Sequence, residues 1–429
     1  MIWIKGGWIL DPSDNTDELG DILIKDGKIA ARGIFSQATA ESYGEDIQVI
    51  DASGKKIMPG LVDLHVHFRE PGFEYKETIK TGASAAAKGG FTAVCPMPNT
   101  KPAVDSPEMI QKILDIAEKD SPIHIYPVGA ITKGQMGDEL VDIKGMAEAG
   151  AKAFSEDGKS VMNAEIYREA MKIAAEVDVP IMAHCEDKNM VGQGAMNEGA
   201  KSRELGIPGI SNAVEDVIVA RDILIAKDTG ARLHLCHCST EDSVKMIRCA
   251  REDGVKVSGE VCPHHFTLTD QDIVEDDANY KMNPPLRSRD DVEALKRGLG
   301  DGTMEAISTD HAPHSEEEKS VSIKNAPFGI VGSETAFCLG VTELVESGIL
   351  TPLELVRRMS TNPCRILGVE GGSLQKGSVA DITIADFDEE YVIDKTEFLS
   401  KGKNTPFDGK KVKGRIYTTI VEGKVVYSL

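Results

Sequence analysis

The stretch Asp63-Leu64-His65-Val66-His67-Phe68-Arg69 ends a strand-like apolar run, and polar and apolar side chains alternate along it. Successive side chains of a β-strand point to opposite faces, so the two histidines share one face with the flanking Asp63 and Arg69. Two imidazoles on one face can bind a single divalent ion. A pair of hydrogen-bonded core histidines is the alternative, but the acidic and basic neighbours at a strand end favour a metal site.

Outward from this stretch, short apolar runs alternate with segments of helical periodicity. The strand-like runs are Leu61–Val66, Thr92–Cys95, Ile123–Val128, Ala151–Phe154, Pro180–Ala183, Leu233–Cys236, Lys256–Val261 and Ala306–Thr309. Helical periodicity is clear in Ala164–Val177, Glu215–Lys227, Glu241–Glu252 and Asp290–Gly298. Eight such strands predict an α/β fold of the (β/α)8 TIM-barrel type. A doubly wound open sheet would give a similar pattern.

The two ends of the chain resemble each other and differ from the middle. Asp26-Gly27 near the start and Glu422-Gly423 near the end each separate two apolar runs, as in a tight β-hairpin. We therefore predict a small β-sandwich domain built from both termini, residues 1–58 and 367–429. The barrel would occupy residues 59–366.

Composition limits the partners of the protein. The 429 residues carry 48 Lys and Arg against 70 Asp and Glu, a formal net charge of −22. Such a chain is repelled by nucleic acids and anionic membranes, so we expect neither as a partner. An anionic substrate would need a local cluster of cations. The eight cysteines are scattered, and the start lacks a signal-peptide pattern, so we expect a cytoplasmic location.

The candidate metal ligands stand at the ends of the strand-like runs. Later runs end in Asp157, His184, His237 and Asp310. The strand ends of a barrel meet on one rim, so these residues join His65 and His67 in a set that suits two zinc ions. In Cys236-His237-Cys238, strand alternation would turn both thiols away from the imidazole, which indicates small core residues rather than ligands.

Two motifs give a specific resemblance. Asp63–Gly72, which reads DLHVHFREPG, and Thr309–Lys319, which reads TDHAPHSEEEK, resemble the signatures of the amidohydrolase superfamily and, within it, of the dihydroorotases. Ser308 replaces the usual Ala or Gly, a conservative departure. The resemblance extends over nearly the whole chain. It implies that His65, His67 and Asp310 bind one zinc ion, and that His184 and His237 bind the other.

The residue that would bridge the two metals differs from the one that many relatives use. Many relatives use a carboxylated lysine directly after a phenylalanine on the fourth strand, where this chain has Ser155. Lys152 lies two residues before that motif position. Asp157, in the run Ser155–Gly158, is the better match and resembles the bacterial single-function dihydroorotases. We favour Asp157 over Lys152 as the bridge.

The resemblance also implies a reaction, the reversible cyclisation of N-carbamoyl-L-aspartate to L-dihydroorotate. Asp310 would be the catalytic residue that moves the proton between water and the amide nitrogen. Arg69 can bind the unreactive substrate carboxylate in a bidentate manner. The full set of expected substrate-binding residues is His67, Arg69, Asn99, Asn283, His314, Phe328 and Gly329. A homodimer and an association with aspartate transcarbamoylase are both compatible with the family.

Three further expectations follow. The rival functions are those of the related cyclic amidases, namely allantoinase and hydantoinase, and of non-catalytic partners of aspartate transcarbamoylase. The segment 315–332 opens with Glu316-Glu317-Glu318-Lys319, a front part too charged to bury, so the segment either orders over bound substrate or remains a solvated loop. Outside the site, we expect packed or hydrogen-bonded core histidines at His124, His234, His264 and His265, and a structural role for His311.

Overall fold

The computed structural model describes residues 1–44 and 46–429. Its N-terminal part runs through β1 (Ile2–Asp11), β2 (Thr16–Lys25), β3 (Lys28–Gly33), α1 (Gln37–Glu41), β4 (Gln48–Asp51) and β5 (Lys56–Pro59). The first half of the middle part comprises β6 (Leu61–Val66), α2 (Ile79–Lys88), β7 (Phe91–Pro96), α3 (Pro107–Asp120), β8 (His124–Ile125), β9 (Val128–Ala130), α4 (Ile143–Glu148), β10 (Ala153–Ser155), α5 (Ala164–Glu176) and β11 (Ile181–Ala183).

The second half continues with β12 (Met196–Asn197), α6 (Ala200–Leu205), β13 (Gly209–Ile210), α7 (Ala213–Thr229), β14 (Leu233–Leu235), α8 (Glu241–Glu252), β15 (Val257–Val261), α9 (Pro263–Thr267), α10 (Arg289–Asp301), β16 (Ala306–Ile307), α11 (Glu316–Lys319), α12 (Ala336–Gly340), α13 (Pro352–Val356) and α14 (Asn362–Leu367). The chain ends with β17 (Ile382–Val392), β18 (Lys411–Val421) and β19 (Lys424–Ser428).

The middle part forms the predicted barrel. Parallel strands β6, β7 and β8 make one arc, and β9, β10, β11, β14, β15 and β16 make the other. The two arcs close where Val66 pairs in parallel with His311, and the His67 amide donates to the His311 carbonyl at 2.8 Å. This pairing of first and last strands excludes the open sheet. The third strand is split into β8 and β9.

Local sequence accounts for the helices that surround the barrel. The Asn163 side chain accepts hydrogen bonds from the first backbone amides of α5, and Thr240 caps α8 in the same way. In α5 the buried side chains recur at helical spacing and pack on the barrel, namely Tyr167, Ala170, Met171 and Ala174. α5, α7 and α8 begin and end within two residues of the periodicity found in the sequence, and α10 ends three residues later than predicted.

Both termini share one β domain, as predicted. Its strands form one continuous sheet in the order β19-β18-β17-β5-β1-β2-β3, and β4 also pairs with β1. The ten-residue β1 is irregular between Ile4 and Gly7 and pairs first with β4 and then with β5, and strands from both ends of the sheet pack on one apolar core. Asp26-Gly27 and Glu422-Gly423 both adopt positive φ at the two turn positions, the geometry of the predicted tight hairpins.

Two further observations concern the boundaries and the surface. β5 ends at Pro59 and β6 begins at Leu61, while α14 ends at Leu367. Among the described residues, no helix is both long enough and apolar enough to cross a bilayer.

Candidate metal centre

Asp157 lies at the centre of the barrel rim, surrounded by imidazoles. Its Oδ1 is 3.2 Å from Nε2 of His65, 3.5 Å from Nδ1 of His184 and 3.7 Å from Nε2 of His237. Its Oδ2 is 3.5 Å from Nε2 of His67. One buried carboxylate therefore contacts a ring nitrogen of all four candidate histidines, which come from three different strands.

Asp310 completes one side of this cluster. Its Oδ1 is 3.0 Å from Nε2 of His67 and 3.6 Å from Nε2 of His65. On the other side, Nδ1 of His184 and Nε2 of His237 are 2.9 Å apart. Ligand atoms that bind one tetrahedral zinc ion at about 2.1 Å lie roughly 3.3 Å apart. The His67–Asp310 pair and the His184–His237 pair both have a spacing near this value, as two ligands of one ion would.

Backbone strain marks the same rim. Arg69, His237 and Asp310 adopt positive φ values of 63°, 35° and 48°, which non-glycine residues rarely do. Such conformations collect at functional sites, where the surrounding structure holds them. The bend at His237 corrects our interpretation of Cys236-His237-Cys238. Cys236 faces the barrel interior in a group with His65 and Glu260, as alternation from His234 requires, but His237 also faces this side and approaches Asp157; both thiols are buried as expected.

Glu260 lies beneath the centre and was missed by sequence reasoning. Its carboxylate is 3.3 Å from Nδ1 of His65 and 3.0 Å from Nε2 of His234, and it accepts a hydrogen bond from the His237 amide at 3.1 Å. A fully buried glutamate inside the apolar strand β15 was the available signal, because charged residues are almost never buried without a partner. Glu260 directs Nε2 of His65 toward the two aspartates.

The protonation behaviour of the centre suits a cation. Burial alone would raise the pKa of Asp157, but the charge of His65 and the hydrogen bond with His237 hold it well below its ordinary value. Burial likewise opposes ionisation of Asp310, whose pKa is lowered by the hydrogen bond with His67 and the nearby imidazoles. Both carboxylates are therefore ionised, the form that binds a metal.

The donor atoms also fit zinc. His65, His67 and Asp310 form one group whose ligand atoms lie within 4.8 Å of one another, and His65, Asp157 and His237 form a second. Nε2 of His65 is buried without a hydrogen-bond partner, although it points at two carboxylates. Nitrogen and carboxylate oxygen ligands with little solvent access are typical of zinc sites. Lys152, the rejected bridge, is exposed and precedes β10, whereas Asp157 follows that strand.

Arg69, Asn99 and His314 lie next to the cluster. Nε of Arg69 donates to the Pro313 carbonyl at 3.3 Å, and its guanidinium is 3.4 Å from Nε2 of His314. The Asn99 amide donates to Asp157 Oδ2 at 3.1 Å, and its oxygen is 2.9 Å from Nδ1 of His67. Asn99 therefore orients two candidate ligands.

The remaining predicted substrate residues lie on neighbouring loops. The Asn283 amide donates to Glu186, which follows His184, at 2.5 Å. The Phe328 carbonyl is 2.8 Å from Nε2 of His314. Gly329 has φ +127°, and a Cβ there would lie 2.5 Å from Cβ of Ala312, so glycine is required for the loop to approach the strand end.

The segment 315–332 is packed more firmly than its charge predicted. Lys319 is only 8% exposed, because its ammonium donates to the carbonyls of Ala278, Lys281 and Pro327 at 2.9–3.1 Å. Ile323 and Ala326 are also buried. In the front part the expectation is wrong only for Lys319, because backbone carbonyls can solvate a buried ammonium, whereas Glu316 and Glu317 are exposed as expected.

The histidines outside the centre have ordinary partners with one exception. His124 is 3.0 Å from Asp381, His234 contacts Ser258 and Glu260, and His265 contacts the Pro284 carbonyl. Nδ1 of His311 accepts from the Gly332 and Ser333 amides, which agrees with its structural role. In His264, Nε2 is buried without a partner.

Comparison with known proteins agrees with this geometry. The family model described as "Dihydro-orotase-like" matches residues 54–243. The chain is 51% identical to a dihydroorotase of Pelotomaculum thermopropionicum, covering 99% of this chain and 97% of the relative. It is 47% identical to a dihydroorotase of Syntrophus aciditrophicus, covering 99% of both. Among solved structures, an L-hydantoinase of Arthrobacter aurescens superimposes with a TM-score of 0.88 at 27% identity, covering 100% of this chain and 96% of that one.

The barrel, the β domain from both termini and the histidine–aspartate cluster on the rim define an amidohydrolase that acts on cyclic amides. Relatives near 50% identity over almost their full length are much more similar than the hydantoinase at 27%. The chain belongs to the dihydroorotase family.

Proposed function

We propose that this chain interconverts L-dihydroorotate and N-carbamoyl-L-aspartate at a centre of two zinc ions. His65, His67 and Asp310 would hold one ion, His184 and His237 the other, and Asp157 would bridge them. The observation that carries this proposal is the position of Asp157 within 3.7 Å of a ring nitrogen of all four histidines. Ligand type and family favour zinc, although cobalt or manganese can occupy such a donor set.

Bound divalent ions would supply two kinds of chemistry here, polarisation of the attacked carbonyl and activation of water at neutral pH. The protein must then move the proton. Asp310 lies on the rim with an ionised carboxylate, beside the carbonyl that would be attacked. In hydrolysis it takes the proton from the attacking water and delivers it to the amide nitrogen as the C–N bond breaks. In cyclisation the same carboxylate removes a proton from the nitrogen.

Local cations would bind the unreactive carboxylate of the substrate despite the net charge of −22. Arg69 is half-buried on the rim beside the metal ligands, and Nζ of Lys76 is 3.3 Å from Nδ1 of His314. Burial and the nearby charges of Arg69 and Lys76 hold the pKa of His314 well below its ordinary value. His314 is therefore a neutral hydrogen-bonding group, and Arg69 supplies the charge that pairs with the carboxylate.

The ring edge of dihydroorotate would meet Asn283 and the Phe328-Gly329 backbone. These groups lie on neighbouring loops, which are joined by a hydrogen bond from the Gly329 amide to the Lys281 carbonyl at 3.0 Å. A site that pairs with ring amides on one side and a carboxylate on the other discriminates against cyclic amides without a carboxylate, because Arg69 would then be left unpaired. Asn99, which contacts both Asp157 and His67, would keep the carboxylate pocket in register with the metals.

A substrate comparison tests the proposal. Purified protein supplied with zinc should hydrolyse L-dihydroorotate and, at lower pH, cyclise N-carbamoyl-L-aspartate. Allantoin, hydantoin and dihydrouracil should react at least about a hundredfold less efficiently, the scale of leaving a buried charged group unpaired. A preference for hydantoin or dihydrouracil would instead indicate the activity of the structural neighbours. Inactivity toward all of them would support a non-catalytic partner protein.

The cytoplasmic location stays a prediction from the sequence, and the homodimer and the association with aspartate transcarbamoylase stay predictions from the family. Size-exclusion chromatography with light scattering, alone and with the transcarbamoylase added, distinguishes a monomer, a homodimer and a mixed complex.

A further inference from the structure

Asn404 belongs to the C-terminal part of the chain but lies under the barrel rim. It is 4% exposed. Its Oδ1 accepts a hydrogen bond from the His314 amide at 3.1 Å, and its Nδ2 donates to the carbonyls of Ala312 and Gly329, both at 3.0 Å. Its own carbonyl accepts from the Val331 amide at 2.9 Å. One side chain thus joins the two loops that carry His314 and Gly329.

These two loops need such a connection because they meet at close range. The His314 ring contacts the Phe328 carbonyl at 2.8 Å, and the Gly329 backbone leaves no room for a Cβ against Ala312. Both of these contacts involve residues predicted to bind the substrate, His314 and Phe328-Gly329. Asn404 contacts the same loops through the backbone groups of Ala312, His314 and Gly329, so it fixes their separation from below.

The segment that carries Asn404 is itself anchored to the barrel. The Ser400 hydroxyl hydrogen-bonds to the carboxylate of Glu77, and the Lys401 amide donates to the same carboxylate at 3.3 Å. Glu77 is fully buried and lies 3.5 Å from Nε2 of His311 on the final strand end. Asn404 therefore acts from a fixed position, and a change in its side chain is transmitted to the loops rather than absorbed by its own segment.

We propose that Asn404 is a positioning residue for substrate binding: it sets the distance between His314 and the Gly329 backbone without touching the substrate or the metals. This inference rests on the proposed function of the same site. Its amide is required specifically, because the three contacts need one acceptor and two donors. A carboxylate of the same shape would keep the acceptor for the His314 amide but would face two carbonyl oxygens with another oxygen.

Asn404→Asp and Asn404→Ala test the role, with Thr405→Val as the matched control. Thr405 is 3% exposed in the same segment, and its hydroxyl accepts only a hydrogen bond from the Phe407 amide, within the segment, among the contacts described. Zinc content, Tm, and kcat and KM for dihydroorotate would be measured on each zinc-loaded, full-length protein. We expect both Asn404 variants to raise KM by at least about tenfold, the scale of leaving buried polar groups unsatisfied. Zinc content should stay native, and kcat should change less than KM.

Thr405→Val should lower Tm about as much as the Asn404 variants do, while its KM for dihydroorotate stays native. If Asn404→Asp does not fold, Asn404→Ala decides, since it removes the contacts without adding a charge. A native KM in the Asn404 variants, with a Tm loss like that of the control, would overturn the positioning role and leave the proposed function intact. A native protein without dihydroorotase activity would overturn both.

Discussion

Replacing Glu260 with glutamine should weaken zinc binding without disrupting the barrel. The glutamine oxygen can keep the place of Oε1, which faces Nδ1 of His65 at 3.3 Å and the His237 amide at 3.1 Å. The new NH2 would face Nε2 of His234, and that imidazole can reverse its tautomer because Nδ1 lies 2.8 Å from the Ser258 hydroxyl. All three hydrogen bonds therefore survive, and only the negative charge is lost.

That charge makes His65 a stronger ligand. Burial opposes ionisation of Glu260, but the hydrogen bonds and charges of His234 and His65 together hold its pKa well below its ordinary value, so the carboxylate is ionised. Loss of a carboxylate behind a ligating histidine typically weakens metal binding or activity by about 10- to 100-fold, which corresponds to about 1.4–2.8 kcal/mol. We therefore expect the zinc Kd of Glu260→Gln to be about 10- to 100-fold higher than the native Kd, and we expect activity to recover at high zinc concentration.

Competition with a chromophoric chelator measures the Kd. Asp11→Asn is the matched control, because Asp11 is also fully buried and hydrogen-bonded but lies in the β domain. That variant should lose stability and keep the native zinc affinity. A native zinc Kd in Glu260→Gln would show that the charge of Glu260 does not strengthen zinc binding. An equal loss of zinc affinity in Asp11→Asn would show that the effect is general destabilisation.

Three other outcomes follow from the site. His65→Ala and His184→Ala should each lose zinc and abolish turnover, and near-normal activity with full metal content in either would contradict the ligand assignment. Arg69→Lys should lower kcat/KM, with a loss of about 2–4 kcal/mol of transition-state stabilisation, because an ammonium cannot reproduce a bidentate contact. An unchanged kcat/KM would remove Arg69 from the substrate site. His314 has a lower pKa in the folded protein than when unfolded, so the unfolded chain binds the extra proton and stability falls as pH drops below about 6.5. Urea titrations at pH 7 and pH 5 should therefore show a smaller acid loss in His314→Asn, by up to about 2 kcal/mol, and identical losses in both proteins would contradict this.

The sequence predicted the strands and the candidate-ligand positions at their ends because both depend on local patterns. Alternation around His65 and His67, and the recurrence of one polar residue at each strand end, need no knowledge of distant contacts. The same rule failed at His237, where a positive φ ends the alternation and the imidazole faces the same side as Cys236. Backbone strain of this kind depends on the surrounding tertiary structure, so periodicity cannot reveal it.

The residues that support the site could not be found from spacing. Asn404 lies 90 positions from His314 in the sequence, and its role depends on the path of a C-terminal segment beneath the rim. The sequence around Lys319 predicts a charged surface loop, yet the ammonium of Lys319 is buried, because it donates to the carbonyls of Ala278, Lys281 and Pro327. Only Glu260 left a local trace, as an acidic residue within an apolar strand.

The role of Asp157 as the bridge between two zinc ions is tested by measuring zinc content and dihydroorotate turnover on the same preparations of native protein, Asp157→Ala and Lys152→Ala. We expect about two zinc ions per chain and full activity in the native protein and in Lys152→Ala, with loss of both in Asp157→Ala. An inactive, metal-poor Lys152→Ala together with an active Asp157→Ala, or stimulation of the metal-free protein by bicarbonate during zinc loading, would contradict it.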